Sequence, residues 1–260
     1  MKKLVLILLS LFFSFVAFTQ EEDRVGGGKF LKRIEYNYLL KTIQEVLPGE
    51  RSRGLCVLDG KNNVERLLLG DFNALSEFFY EPSFEGAAAF RVVVVKDSLN
   101  NLFYVLEVNR ISNYDETWKE LQKKYPLIGI PAEIFPYTPK DISDVVRTHN
   151  REMSRKKHIE CIDLYKIETL SFPIGDKFAK KLHKKMSALI DNFKGTGIPN
   201  IIGDGYTATF RCVVEDEAWS LNIHMPQVET LKFSNFCRQI IDDANAGNFD
   251  EAKYVDLLND

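Results

Sequence analysis

The densest group of reactive residues in the chain is His158-Ile159-Glu160-Cys161. An H-x-E opens the zinc signature of nucleobase deaminases, where P-C-x-x-C must follow to complete the ligand set. That second half is absent, and a chain entering a strand after a basic patch is the simpler reading. The four histidines, His149, His158, His183 and His224, have none of the close spacings that bind a metal, such as HExxH. They read as structural or surface residues. No metal and no cofactor are expected.

Four cysteines, Cys56, Cys161, Cys212 and Cys237, contain no C-x-x-C pair, so neither a redox centre nor a zinc ribbon is suggested. Cysteine catalysis needs a thiolate stabilised by a positive neighbour. Cys161 near His158 and Cys212 beside Arg211 are the local candidates. However, Cys212 shares a strand face with Phe210 and Val214, and Cys237 lies on the apolar stripe of a helix. Two core-facing cysteines on adjacent elements are better read as a disulfide, Cys212 to Cys237, or as two buried thiols than as a nucleophile.

Lys177, Lys180, Lys181, Lys184 and Lys185 give one helix a basic outer face, against an acidic C-terminal stretch. A solvated helix face explains such a run, and contact with an anionic partner is the sharper alternative. Gly203-Asp204-Gly205 precedes a strand, so it lacks the helix N-terminus of a phosphate loop and reads as a tight turn. No G-x-S-x-G is present.

The elements that would hold these residues begin after an export signal. Lys2 and Lys3 precede an apolar run from Leu4 to Phe18, with Ala17 and Thr19 at the −3 and −1 positions of a cleavage site before Gln20. Residues 1–19 therefore read as a signal peptide and 20–28 as a flexible start. The first cysteine is Cys56, so a lipid anchor is not expected, and no later run is long enough to cross a bilayer. The protein is expected outside the cytoplasm, in the periplasm or beyond. Removing the signal takes Lys2 and Lys3 but no acid, moving the formal charge from −3 to −5. That mild acidity argues against nucleic acid as a partner.

Within the remainder, Leu31, Ile34, Tyr38, Ile43 and Val46 predict a helix. Two short apolar strands follow, Leu55–Leu58 and Val64–Leu69. Gly70-Asp71 predicts the cap of a helix over 72–79. Phe90-Arg91-Val92-Val93-Val94 reads as a strand covered on both faces, returning through Leu102–Val108 to a helix over Tyr114–Lys124. Pro126, Pro131, Pro136 and Pro139 mark a linker over 126–140, whose apolar residues should pack between the halves. Beyond it come a short helix around 142–153, a strand over 159–170 and a Gly175-Asp176-capped helix. Phe210-Arg211-Cys212-Val213-Val214 then repeats the earlier strand, followed by a return strand and two helices.

The two Phe-Arg strands, each preceded by a Gly-Asp, suggest two similar strand-helix-strand-strand-helix units, 29–125 and 141–260. The fold class is α+β, with mainly antiparallel sheets flanked by helices. With no assembled catalytic constellation in view, the chain reads as a non-enzymatic binding or interaction protein. Its partner would be a protein, a glycan or an anionic surface. An exported hydrolase whose site assembles only in three dimensions is the alternative, and a module of an envelope assembly is a third reading.

Overall fold

A computed structural model describes residues 30–36, 39–45, 62–194 and 204–258. Its centre is one antiparallel sheet of eight strands: β1 (Phe30–Tyr36), β2 (Leu39–Glu45), β3 (Ser76–Pro82), β4 (Ala88–Lys96), β5 (Leu102–Ile111), β6 (Ile167–Ile174), β7 (Tyr206–Val214) and β8 (Glu217–His224). The strand order is β1-β2-β8-β7-β3-β4-β5-β6. The helices are α1 (Asn63–Leu69), α2 (Tyr114–Lys124), α3 (Lys140–Leu164), α4 (Asp176–Asn192), α5 (Val228–Asn245) and α6 (Glu251–Leu257). The α+β class with antiparallel pairing is thus what the sequence leads one to expect. Among the described residues, no helix is long and apolar enough to cross a membrane.

Pleating sends alternate residues to opposite faces, and the two faces have different chemistry. On the first, Phe78, Phe90, Leu106, Phe210 and Leu221 bury against Phe178, Leu182 and Met186 of α4 and against α5 and α6. On the second, α1, α2 and α3 cover a smaller apolar cluster beside several buried polar side chains.

Strand β3 sits between the two Phe-Arg strands, and register explains why those dipeptides look alike. Phe78 faces Phe90 on one side and Phe210 on the other, and Glu77 likewise lies between Arg91 and Arg211. The three phenylalanines form a ladder on the first face, with ring centroids 5.6 and 5.3 Å apart. On the second face Arg211, fully buried, donates to Glu65 of α1 at 2.5 Å and to Glu77 at 3.0 Å. Arg91 pairs with Glu107 at 2.5 Å and donates to the carbonyl of Leu69, the last residue of α1, at 2.9 Å. Burial works against the Arg211 charge, but the two carboxylates outweigh it and hold its proton more tightly than usual.

Several local expectations change. The predicted helix over 31–46 is in its described part the β1–β2 hairpin, because β2 finds a pairing partner in β8. There Lys41 is buried and donates to the Asp191 and Phe193 carbonyls at the C-terminal end of α4, at 3.0 and 3.2 Å. A cation suits that end of a helix, where carbonyls lack intrahelical donors. The expected strand over 64–69 is α1, since the Asn62 side chain accepts the Glu65 amide at 2.7 Å as a cap. Gly70, at φ 61, ends α1 rather than starting a helix, and the predicted helix over 72–79 gives way to β3. The earlier apolar run Leu55–Leu58 lies outside the described residues.

The short helix and the strand that were expected over 142–153 and 159–170 become one 25-residue helix, α3, with β6 beginning only at Ile167. The Pro-rich connection carries a 3-10 turn, Phe135–Tyr137, and its apolar side chains Leu127, Ile134, Phe135 and Tyr137 are exposed, not packed between halves. Its two flanks meet again in one sheet, where β5 pairs with β6. The halves share a hairpin followed by a helix, β4–β5–α2 and β7–β8–α5, whereas β3 precedes one hairpin and α4 the other.

Truncating Phe210 to alanine should cost about 3–5 kcal/mol, as deletion of a fully buried aromatic does. Arg211→Ala should cost a comparable amount, about 3–5 kcal/mol, because it strands two buried carboxylates. Arg91→Ala should cost less, since that pair keeps partial contact with water. Urea unfolding midpoints of the three variants give the order, and an Arg211→Ala protein as stable as the parent would remove the ion cluster from the core.

Candidate functional site

Antiparallel pairing brings the C-terminal ends of β3, β5 and β8 and the N-terminal ends of β4 and β7 to one edge of the sheet. There, on the second face, α2 and α3 roof a cavity of about 570 Å³. The floor is supplied by Glu81, Ala87, Ile111, Thr207 and His224. Helical periodicity supplies the roof. Tyr114, Trp118 and Gln122 recur every four residues along α2, and Ser154, Lys157, His158 and Cys161 fall on one side of α3. Tyr165, just past the end of α3, closes the wall.

The roof is tied down at both ends. Glu160 accepts Lys124 and the Tyr125 hydroxyl, each at 2.5 Å, joining α3 to the end of α2. At the other end Asn113 donates to the Leu164 carbonyl at 3.0 Å and accepts the Lys166 amide at 2.7 Å.

Inside the wall the aromatic rings are ordered against one another. Tyr114 lies parallel to Trp118 and close to Tyr165, with centroids 6.2 Å apart in each case. The Lys157 ammonium sits 4.5 Å over the Trp118 ring, a cation–π contact. Glu81 accepts the Asn62 side-chain amide at 2.9 Å. Burial pushes its carboxyl up from the usual range; the Asn62 hydrogen bond opposes this and Glu65 adds to it. Burial also raises the phenols of Tyr114 and Tyr165. His224 meets the Thr207 hydroxyl at 3.3 Å.

Of the sequence candidates, His158 and Cys161 reach the cavity, but Glu160 does not. Residues two apart share a face in a strand, whereas in a helix they are about 200° apart. The H-x-E spacing is therefore broken by α3 itself. The Cys161 thiol donates to the His158 carbonyl at 3.1 Å, and burial pushes its pKa up, the opposite of an activated nucleophile. Among the described residues, no group of three or more His, Cys, Asp or Glu side chains is placed to hold a metal ion.

Cys212, Cys237, His183 and the lysine run of α4 lie on the first face, away from the cavity. Cys212 and Cys237 are free thiols in one apolar cluster, with burial raising Cys212 to about 12 and pushing Cys237 well above the usual thiol value. Lys177, Lys180, Lys184 and Lys185 are exposed on α4, with Lys180 paired to Asp176 at 2.9 Å. Lys181 is half-buried and donates to the Val255 carbonyl at 3.3 Å. His183 is bonded to the Val213 carbonyl at 2.6 Å and His149 to the Pro126 carbonyl at 3.2 Å. Gly205 has φ 128, and any side chain there would run into Met225, while Gly203 of the expected turn lies outside the described residues.

Lys157, Glu81, Tyr114, Trp118, Tyr165 and His224 did not stand out in the sequence. The i, i+3, i+4, i+7 spacing of Ser154, Lys157, His158 and Cys161 marks one face only when residues 154–161 are helical.

Glu81 gives a pH-dependent test of the site. A carboxyl raised by burial costs stability where it is ionised in the folded state, and that cost vanishes once pH falls below the ordinary glutamate value of about 4.3. Glu81→Gln, which still accepts from Asn62, should therefore be more stable than the parent at pH 7 and equal to it near pH 4. Urea midpoints at the two pH values decide this; a variant that is less stable at pH 7 would mean the carboxylate is favourably solvated or paired. No known protein family matches the chain, and neither any curated protein nor any solved structure is similar to it.

Proposed function

We propose that this is an exported binding protein that holds a small organic ligand in the cavity between the sheet edge and the α2–α3 roof. Export rests on the Lys2-Lys3 start and the apolar run Leu4–Phe18. Binding rests on the cavity, whose size is that of ordinary small-ligand sites and whose wall combines aromatic faces with a few polar groups. The observation that carries the reading is the convergence of Tyr114, Trp118 and Tyr165 with Glu81 and Lys157, from α2, β3, α3 and the segment after α3, on one concave space. A ring-bearing ligand would gain contact area there at little cost in side-chain ordering, because the roof is already fixed.

A hydrolytic reading draws less support. The cavity thiol acts as a hydrogen-bond donor with a raised pKa, and the Ser83 hydroxyl is committed to the Gly205 carbonyl at 2.9 Å. Among the described residues, neither has a hydrogen bond to a side-chain base that would activate it. The basic outer face of α4 lies across the sheet and takes no part in this reading.

The chain has two tryptophans, so Trp219→Phe leaves Trp118 in the cavity as the only indole reporter. Its emission should respond saturably to small cyclic compounds, both monosaccharides and aromatic acids or amides, and at least one class should raise the melting temperature. Ser154→Phe, placed at the exposed rim, should abolish both responses without unfolding the chain. A panel that leaves emission and melting unchanged, or a response that survives Ser154→Phe, would overturn the cavity as the binding site.

A further inference from the structure

We propose that the cavity selects a ligand carrying an anionic group, a carboxylate or a phosphate ester, with Lys157 as its counter-ion. This deepens the binding reading above and rests on it.

Lys157 is only 4% exposed. A buried ammonium loses its hydration and is tolerated when hydrogen-bond acceptors or an opposite charge replace the lost water. The other buried cations among the described residues have such replacements. Lys41, 1% exposed, donates to two carbonyls at the end of α4, and Arg211, 2% exposed, lies against two carboxylates. Lys157 differs. Its partner is the Trp118 ring at 4.5 Å, and among the described residues no carboxylate pairs with it. A ring face supplies less than an acceptor or an anion does. The side chain is buried but its ammonium is not among the fully buried atoms without a partner, so what access to water the charge keeps is at the cavity that it lines.

The other titratable groups on the cavity wall do not supply the missing anion. Glu81 on β3 is bonded to Asn62 and is pushed by burial toward its neutral form. Glu85 stands exposed at the rim, so its charge is screened by water. His158 on α3 and His224 at the end of β8 carry no negative charge and so cannot supply it. Lysine is a point charge without the fork geometry of arginine, so it accepts a carboxylate or a phosphate without distinguishing their shapes. The rings of Tyr114, Trp118 and Tyr165 favour a ligand whose anionic group is attached to a flat or cyclic body.

Calorimetric titration of the mature protein with benzoate, benzamide and phenyl phosphate separates charge from shape. Benzoate, phenyl phosphate or both should bind the parent at least about tenfold more tightly than benzamide, as loss of a partly desolvated charge pair implies. Lys157→Met, which keeps the apolar stem over Trp118, should remove that preference and leave benzamide unchanged. Lys157→Arg should restore it. Which anion binds more tightly tells a carboxylate ligand from a phosphate ester. If benzamide binds the parent as well as benzoate and phenyl phosphate do, or the preference persists in Lys157→Met, the inference is overturned while the cavity reading stands. If none of the three compounds binds the parent, the inference is likewise overturned, and the cavity reading falls with it only where the monosaccharides of the panel above also leave Trp118 emission and melting unchanged. The comparison of acid with amide needs no variant, so the outcome does not depend on Lys157→Met folding.

Discussion

Arg211 is a charge removed from water and held between two carboxylates, and much of the second face follows from that constraint. One of the carboxylates, Glu77, is its neighbour across the β3–β7 pairing, while the other, Glu65, arrives on α1. A buried guanidinium with one partner missing would be strongly destabilising. The helix must therefore dock on the sheet with Glu65 inward, and the Arg91 bond to the Leu69 carbonyl fixes its other end. With α1 in place, Val64 becomes part of the cavity wall and Asn62 comes within reach of Glu81. The ion cluster is thus a structural device at one remove from the site, setting the position of a wall and a hydrogen bond without touching the open space.

The two faces of the sheet divide the work. The first is a continuous apolar core closed by α4, α5 and α6, with the phenylalanine ladder at its centre and two thiols made inert by burial. Most of the hydrophobic stabilisation belongs there, since it scales with apolar area removed from water. The second face carries charged and hydrogen-bonding side chains under a roof that is braced at its ends by Glu160 and Asn113. That arrangement leaves an interior space whose lining is polar in part, which a close-packed apolar core would not permit.

Much of the fold is legible in the sequence where periodicity and packing agree. The helix α2 spans Tyr114–Lys124 as the pattern predicts, and β4, β7, β8, α4 and α5 fall where their apolar residues place them. Errors arise where a local signal has two meanings. Gly70-Asp71 looks like a helix start, but a glycine at positive φ ends a helix equally well, and here Asn62 had already started one. The 31–46 stretch has a helical spacing of apolar residues, yet the free edge of β8 offers backbone hydrogen bonds that pull Leu39–Glu45 into the sheet. Residues 159–164, strand-like in composition, are the last turns of α3, and only as helix does this stretch present the face that lines the cavity.

The sequence by itself determined the class of fold, the apolar strands and most of the helices on the first face, since these depend on the burial of residues close together in the chain. It also marked Phe90-Arg91 and Phe210-Arg211 as alike. Only the tertiary structure decided why: both dipeptides flank β3 in one register, so one phenylalanine ladder and one set of charges account for the similarity. It likewise decided the candidate site. Lys157, Glu81, Trp118 and His224 are separated by up to 143 positions in the chain (81 to 224) and meet only because antiparallel pairing brings five strand ends to one edge and two helices cross above them. No local pattern encodes that meeting, because it depends on strand order, which is set by contacts between segments far apart in sequence.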